Sequence, residues 1–410
     1  MADQFLSNKD VIIFALKSWD TEIGSSSKEY AKVLARNNNR VLFVNRALDR
    51  LSLIKFRNQA QIKKRLESLK RPTDSLEKVE ENIWVLNPGT VLESINRIPW
   101  SFIFDRLNRL NNRRLASEIN KAAESLQFDN VVLYIENDFL RAFYLNEMIS
   151  KVSATVYYIR DYLPSQAYFS THGKRLEPKM IAKVNMVSTN SEYLMNYALK
   201  YNPNSHFVGQ GCDLTLFTAD NFDIPEDVKP LKRPIIGYTG ALLTTRLDID
   251  IIRRIALYNK DWSVVLVGSE DDNFRNSDLH RFENIHFLGR KKRTEIPAYI
   301  NSFDVCINPQ AVNEMTIGNY PLKADEYLAM GKPIVATRTE GMKMFEEYSF
   351  LCETPVDYIH GIEQLLAEPQ TPVLINSRKS FASSHNWESC VEHLDKALGN
   401  TVGKQFQHAG

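Results

Sequence analysis

The sequence predicts an α/β protein of two doubly wound domains in series. Short β-branched or aromatic runs alternate with longer segments of helical period, and this rhythm runs once and then restarts. The chain of 410 residues is long enough for two cores at roughly 150 residues per domain. Its 43% hydrophobic and 25% charged residues place it with folded globular proteins rather than disordered or fibrous ones.

In the first round the strands are expected at Val11–Leu16, Val41–Val44, Ile83–Asn87, Val131–Ile135, Val156–Ile159 and Met186–Thr189, with helices in the gaps. Runs this apolar and this short suit strands buried on both faces of a parallel sheet. The second round begins at Ile235–Tyr238 and continues through Ser263–Val267, Ile285–Leu288, Val305–Ile307 and Pro333–Ala336. Between the rounds, Cys212–Lys232 carries Asp213, Asp220, Asp223, Pro225 and Pro230 without clear periodicity, so it reads as a linker. The expected boundaries are 1–212, a linker at 213–232, a second domain at 233–384 and a C-terminal segment at 385–410.

Several classes of function are excluded early. Lys plus Arg is 51 against 50 Asp plus Glu, and a net charge of +1 gives no global attraction to nucleic acid. The longest apolar stretches, Val11–Leu16 and Val131–Ile135, fall far short of the ~20 residues that cross a bilayer. Met1 to Asp10 lacks a basic n-region and a long apolar h-region, so the expected compartment is the cytoplasm. Cys212, Cys306, Cys352 and Cys390 are too scattered for a disulfide framework or a Cys-x-x-Cys metal site and read as buried thiols. There is no phosphate loop of the Gly-x-x-x-x-Gly-Lys-Ser/Thr type, no Gly-x-Ser-x-Gly elbow and no His-Glu-x-x-His pair. The first βα loop lacks Gly-x-Gly-x-x-Gly, which argues against dinucleotide dehydrogenase chemistry, and Asp271-Asp272 reads as a solvated turn.

Charge is uneven locally. Residues 46–71 hold nine basic side chains, Arg46, Arg50, Lys55, Arg57, Lys63, Lys64, Arg65, Lys70 and Arg71, against Asp49 and Glu67. Residues 97–114 repeat the bias, with Trp100, Phe102 and Phe104 followed by Arg106, Arg109, Arg113 and Arg114. Aromatic rings at headgroup level with basic neighbours describe a peripheral membrane surface. A solvated helical face describes the same residues, and the sequence leaves both readings open.

The chemistry concentrates in Asn313–Thr337, which reads as loop, helix, turn and strand. Pro321 fits the first helical position and Gly331 the position just past the end. Lys323 and Glu326, three apart, then share one face near a helix N-terminus whose free N–H groups favour anions. A nucleoside diphosphate suits that pair: Lys323 neutralises phosphate and Glu326 accepts two ribose hydroxyl protons. A plain intrahelical ion pair is the alternative.

The run Lys-x-x-Glu-Tyr-Leu-Ala-x-Gly-x-Pro-x-Val from Lys323 to Val335 resembles the donor-binding helix of GT-B glycosyltransferases of the family 4, or group 1, type. Gly237-Tyr-Thr-Gly240 resembles the strand and glycine turn that opens their donor domain, and Val264-Val-Leu-Val-Gly268 its second strand. Asn284 to Gly289, Ile296 to Tyr299 and Phe303 to Pro309 resemble the base-recognition strand, short helix and next strand. Val208-Gly-Gln-Gly-Cys-Asp213 is similar to the turn ending the acceptor domain, and Asn386 to Asp395 to the final helix that returns to the first domain, with Trp387 as an anchor.

The resemblance implies two Rossmann-like domains facing across a cleft and transfer of a sugar from a UDP- or GDP-sugar to a saccharide or lipid-linked acceptor, without a metal or other cofactor. It assigns donor binding to Gly240, Arg246, Gly289, Arg290, Glu314, Thr316, Asn319, Lys323 and Glu326. Lys323 and Arg246 would stabilise the departing diphosphate in a retaining reaction, with Asp161 deprotonating the acceptor if the outcome is inversion. Two positions depart from the family pattern: the first glutamate of its Glu-x7-Glu pair is replaced by Gly318, with Glu314 four residues earlier, and the usual Arg after the glycine turn is Ala241. A nucleotide-sugar epimerase and a catalytically silent scaffold are the alternative readings of the same fold.

In the first domain, the loop Leu16–Ser27 follows the first strand, where ligands bind in doubly wound folds. Gly24 permits close backbone approach, and Ser25 to Ser27 offer hydroxyls or a helix cap. Asp161 and Arg160 end another strand at the same edge and are expected on the acceptor side, with Gly211 in the turn that closes the domain. Glu177 is expected to support that wall. His172, a lone histidine, reads as structural.

Overall fold

The computed structural model describes residues 5–21, 25–55, 62, 66, 75–218 and 222–407. Gly24, Asp220, Arg57, Lys63, Lys64, Arg65, Lys70 and Arg71 lie outside the described residues. The chain forms two units: residues up to Gly209 together with the segment from Trp387 onward, and Gln210–Asn386.

The first unit is built on an eight-stranded sheet. Its strands run in the spatial order Ser205–Phe207, Met186–Thr189, Val152–Ile159, Val131–Glu136, Asp10–Phe14, Arg40–Val44, Ile83–Leu86 and Leu76–Glu80. Neighbours pair parallel except for the last, which is antiparallel. Asp10–Phe14 is buried throughout, and its side chains divide by parity between two cores. Ile12 and Phe14 join Phe104, Leu115 and Ile119 of the helix Ser101–Ser125 on one face. Val11 and Ile13 join Tyr30 and Leu34 of the helix Ser26–Arg36 on the other, with Val391, Leu394 and Leu398 of the helix Trp387–Gln407. That period of two is why the strand reads as one unbroken apolar run. The C-terminal helix therefore belongs to the first unit.

The second unit is a six-stranded parallel sheet in the order Ile285–Phe287, Ser263–Val267, Ile235–Thr239, Val305–Asn308, Ile334–Thr337 and Ser349–Cys352. The segment read as a linker is no free tether. Phe217 and Val228 from 213–232 are buried in the second unit's core beside Ile300 and Leu328. Gly211 also falls in the second unit, where its carbonyl accepts from Gln210 Nε2 at 2.9 Å.

Each sheet reverses direction once. In the first, Asp10–Phe14 lies between Arg40–Val44 and Val131–Glu136, so the carboxyl ends of Asp10–Phe14 and Val131–Glu136 flank the switch. In the second, the switch lies between Ile235–Thr239 and Val305–Asn308. Ligands of doubly wound sheets bind at such points.

Candidate functional site

In the second unit the site grows from the helix Leu322–Ala329. Pro321 stands at the N-cap, one position earlier than the sequence suggested, with no side-chain cap hydrogen bond. At the other end Gly331 takes φ +70°, its N–H donates to the Leu328 carbonyl at 2.8 Å, and Lys332 N–H donates to the Tyr327 carbonyl at 2.9 Å. This Schellman arrangement needs a residue without Cβ, and Ile375 leaves no room for one at Gly331. Tyr327 fastens the helix to the sheet: its hydroxyl accepts from Thr239 N–H at 3.0 Å.

Lys323 reaches back over the glycine turn. Its Nζ lies 5.5 Å from the centre of the Tyr238 ring. Gly240, at φ +138°, is the residue beneath it, and a Cβ there would stand 2.6 Å from Nζ and collide with Cε. A Cβ on Gly268 would in turn strike the Gly240 carbonyl oxygen, so the two glycines fix the turn against the next strand. Glu326 sits one helical turn from Lys323 with its side chain 16% exposed. Burial pushes its carboxyl above the usual carboxylate range, against the opposing pull of Lys323 and Arg293.

Arg293 was not singled out in the sequence, where Arg290 was chosen instead. Its Nη1 lies 3.5 Å from Glu326 Oε1 and its Nη2 donates to the Asp213 carbonyl at 3.3 Å. Only its place four residues past the positive-φ Gly289 could have signalled it. Gly289 and Arg290 do not join this group: Gly289 has open space where a Cβ would stand, and Arg290 is exposed. Arg246 is also exposed, and Asp250 at the following helix start pairs with Arg253 and Arg254 at 2.9 and 2.7 Å. The Arg246 loop is tied to the loop after Val305–Asn308 by Asp248 N–H to the Pro309 carbonyl and Ala311 N–H to the Arg246 carbonyl, both 2.9 Å. Glu314 is exposed on that second loop. Thr316 is buried and spends its hydroxyl within the loop, donating to Ala311 and accepting from Asn313 N–H. The Asn319 carbonyl packs where Gly341 has no side chain. Asp271 caps the helix Asp272–Arg275 and also accepts from Thr244, so its carboxylate serves the loop.

Beside the donor helix, Asp325 is fully buried, 2.7 Å from both His385 Nδ1 and the Tyr320 hydroxyl. Burial raises its carboxyl, and those two partners hold it down. This cluster positions the helix from behind.

In the first unit, a chain of side chains links the start of the helix Ser26–Arg36 to two strand ends. Ser25 is the N-cap of Ser26–Arg36, yet its hydroxyl makes no cap bond and donates to Ser27 Oγ at 3.4 Å. Ser27 donates to the buried Glu136, the last residue of Val131–Glu136. Arg160 joins Glu136 at 3.2 Å to Asp161 at 3.1 Å. Burial would lower the Arg160 guanidinium, but Glu136 and Asp161 hold it firmly charged. Asn137 locks the geometry, accepting from Arg160 N–H at 3.0 Å and donating to the Asp161 carbonyl at 3.1 Å. Lys17 completes the group: burial, then Arg160, lowers its ammonium, while Glu136 and Asp161 oppose. Glu136 and Lys17 were missed in the sequence. A carboxylate ending the apolar run Val131–Ile135 was the available sign.

His172 is structural, as expected: it is buried, bonded to the Ile98 carbonyl at 2.8 Å and stacked on Phe104. Glu177 lies inside the same unit, accepting from Tyr157 at 3.0 Å and Tyr197 at 3.2 Å. All four cysteines are buried and unbridged.

Residues 233–368 match the family described as Glycosyl transferases group 1. The putative teichuronic acid biosynthesis glycosyltransferase TuaH of Bacillus subtilis (strain 168) is 26% identical over 237 residues, 55% of this chain and 59% of that protein. The match thus spans less than two thirds of that curated relative. Among solved structures, sucrose-phosphate synthase from Thermosynechococcus elongatus aligns with TM-score 0.63 at 14% identity, covering 98% of this chain and 100% of that one. Anabaena HepE in complex with UDP aligns with TM-score 0.62 at 16% identity, covering 96% and 100%. An Escherichia coli trehalose-6-phosphate structure bound with UDP-2-fluoro glucose gives 0.65 at 10% identity, covering 95% and 99%. The chain therefore has the GT-B fold, with two Rossmann-like domains, and its residues 233–368 match the glycosyl transferases group 1 family.

Proposed function

We propose that the chain transfers a sugar from a nucleotide-sugar donor to a saccharide or lipid-linked acceptor in the synthesis of an envelope polysaccharide or glycoconjugate. The observation that carries this reading is the pair Lys323 and Glu326, standing together on the helix at the switch point of the second sheet, with Gly240 leaving the lysine room to lie over the turn. Glu326 accepts the ribose hydroxyls, and Lys323 with Arg246 meets the diphosphate as its charge grows. Arg293 holds Glu326 ready in the absence of a ribose. The complex of HepE with UDP supports a UDP-sugar as the donor. The resemblance to group 1 transferases supports a retaining reaction, and no metal is needed because the lysine, the arginine and the helix N–H groups supply the positive charge. Asp161, held by Arg160 and Asn137, is the acceptor-side carboxylate.

Calorimetric titration of UDP, GDP and ADP into the wild type and Glu326→Ala tests the donor half. One nucleotide is expected to bind at micromolar concentration and to weaken about 10- to 100-fold in the variant, as the loss of charge-assisted hydrogen bonds implies. No binding of any nucleotide would favour the silent scaffold.

The protein is further proposed to work in the cytoplasm at the inner face of the cell membrane. Among the described residues no helix is long and apolar enough to cross a membrane. The helix Ser101–Ser125 presents Phe102, Ile103, Arg106, Arg109, Leu110 and Arg113 to solvent, preceded by Trp100, which is 67% exposed. Arg106 packs over the Phe102 ring at 4.8 Å. This face supports shallow insertion with basic side chains at the headgroups. Co-sedimentation with anionic liposomes at low salt should fall sharply in a Trp100→Ser, Phe102→Ser double variant. Equal sedimentation of both proteins would return the patch to a solvated helical face.

A further inference from the structure

The donor helix Leu322–Ala329 is only eight residues long, and its N-cap, Pro321, makes no side-chain hydrogen bond. A helix this short gains little rigidity from its own backbone, so the direction in which it aims Lys323 and Glu326 is set by what holds it. Two side chains hold it. Tyr327 is fully buried, and its hydroxyl accepts from Thr239 N–H at 3.0 Å on the strand Ile235–Thr239. Asp325, also fully buried, accepts from the Tyr320 hydroxyl at 2.7 Å through Oδ2, while its Oδ1 stands 2.7 Å from His385 Nδ1. At about 3.6 residues per turn, Asp325 and Tyr327 leave the helix axis roughly 200° apart, and Lys323 and Glu326 fall within that arc. Pinning both ends of the arc fixes the rotation of the helix and with it the aim of the Glu326 carboxylate.

His385 is itself held firmly. Its carbonyl accepts from Cys212 N–H at 2.9 Å, and its ring meets Phe381 and Phe345 edge-on, with centroids 4.7 and 5.8 Å apart. Tyr320 closes the loop that carries Glu314, Thr316 and Asn319, so Asp325 Oδ2 ties that loop to the helix as well. Burial raises the Asp325 carboxyl, and His385 and Tyr320 oppose that rise. Polar partners buried in this way add little net stability over apolar side chains of the same volume, because desolvation offsets their attraction.

We propose that Asp325 and His385 are positioning residues of the donor site. They set the rotation of the helix so that Glu326 meets both ribose hydroxyls, and thereby make the site prefer a ribonucleotide to its 2′,3′-dideoxy counterpart. Hydrogen bonds impose a direction, where apolar contact alone tolerates several. Asp325, with no exposed surface, acts on the nucleotide only through Glu326. The inference rests on the reading of Glu326 as the ribose acceptor.

UDP, or whichever nucleotide titrates best, and its 2′,3′-dideoxy analogue are titrated calorimetrically into the full chain and into Glu326→Ala, Asp325→Asn, His385→Leu and His385→Asn. The wild type is expected to prefer the ribonucleotide about tenfold or more, and Glu326→Ala to bind both nearly alike. In His385→Leu and Asp325→Asn that preference should shrink about fivefold or more. His385→Asn, whose amide nitrogen can stand where Nδ1 stood, should keep it. Added to Glu326→Ala, His385→Leu should change the ratio no further, since its effect passes through the carboxylate already removed. Urea unfolding of each variant is followed alongside, because a merely structural role lowers stability or weakens both nucleotides by one factor and leaves their ratio intact. A ratio unchanged in His385→Leu, or lost equally in His385→Asn, overturns the inference and leaves the donor reading in place. A wild type that does not distinguish the two nucleotides overturns the reading of Glu326 and the inference with it. Should Asp325→Asn fail to fold, His385, whose side chain is 16% exposed, still decides the matter.

Discussion

Replacing Lys323 with Met is expected to slow cleavage of the nucleotide sugar about 100- to 1,000-fold, the usual cost of removing one preorganised group from a developing oxyanion. The fold should survive. Lys323 is half-buried, and among the described residues it makes no ion pair within hydrogen-bond reach, so no partner is left uncompensated. Methionine keeps an unbranched stem over Gly240 and Tyr238, which separates loss of charge from loss of packing. Because negative charge on the diphosphate grows as the sugar departs, the lysine contributes more to the transition state than to the bound donor. The rate of nucleoside diphosphate release at saturating donor should therefore fall much further than affinity for the nucleotide. Equal losses in rate and affinity would make Lys323 a binding residue only. An unchanged rate would remove it from the reaction.

The same helix shows how far the sequence could be read. Lys323, Glu326 and Gly331 were legible because helical spacing and the end signal are local properties, set within a dozen residues. The core strands were legible for a similar reason: an apolar run such as Val131–Ile135 is buried on both faces wherever its neighbours come from. Edges were not. Leu76–Glu80 carries exposed Glu77, Lys78 and Glu80 and pairs antiparallel with Ile83–Leu86, and Ser205–Phe207 is only three residues long. Neither has enough alternation to stand out. Arg293 and Glu136 were invisible for a different reason. Arg293 meets Glu326 from far along the chain, and Glu136 meets Ser27 across 109 positions. Such pairings are made by sheet order, which one sequence does not display. The linker was misread on composition, since Pro225 and Pro230 shape a turn whose apolar neighbours Phe217 and Val228 are buried.

Glu177 yields the other large effect, on stability. Burial pushes its carboxyl from an ordinary 4.5 up to about 8, opposed by the hydroxyls of Tyr157 and Tyr197. Its folded value lies above its unfolded one, so the folded state holds more protons between those limits. Stability from this group is accordingly full below about 4.5 and lost as pH rises through about 8. At roughly 1.4 kcal/mol per unit, the loss across that window is on the order of 5 kcal/mol. Glu177→Gln keeps an acceptor for one tyrosine and offers an N–H to the other, without a charge to bury. The variant should match the wild type near pH 5 and resist urea better near pH 8.5, with the difference growing steadily between. Parallel pH profiles for the two proteins would show that Glu177 ionises without cost. The position matters for function as well as stability. Tyr157 lies on the strand Val152–Ile159, which delivers Arg160 and Asp161 to the acceptor edge. A protonated Glu177 at neutral pH therefore keeps that strand bonded through Tyr157 without a buried negative charge.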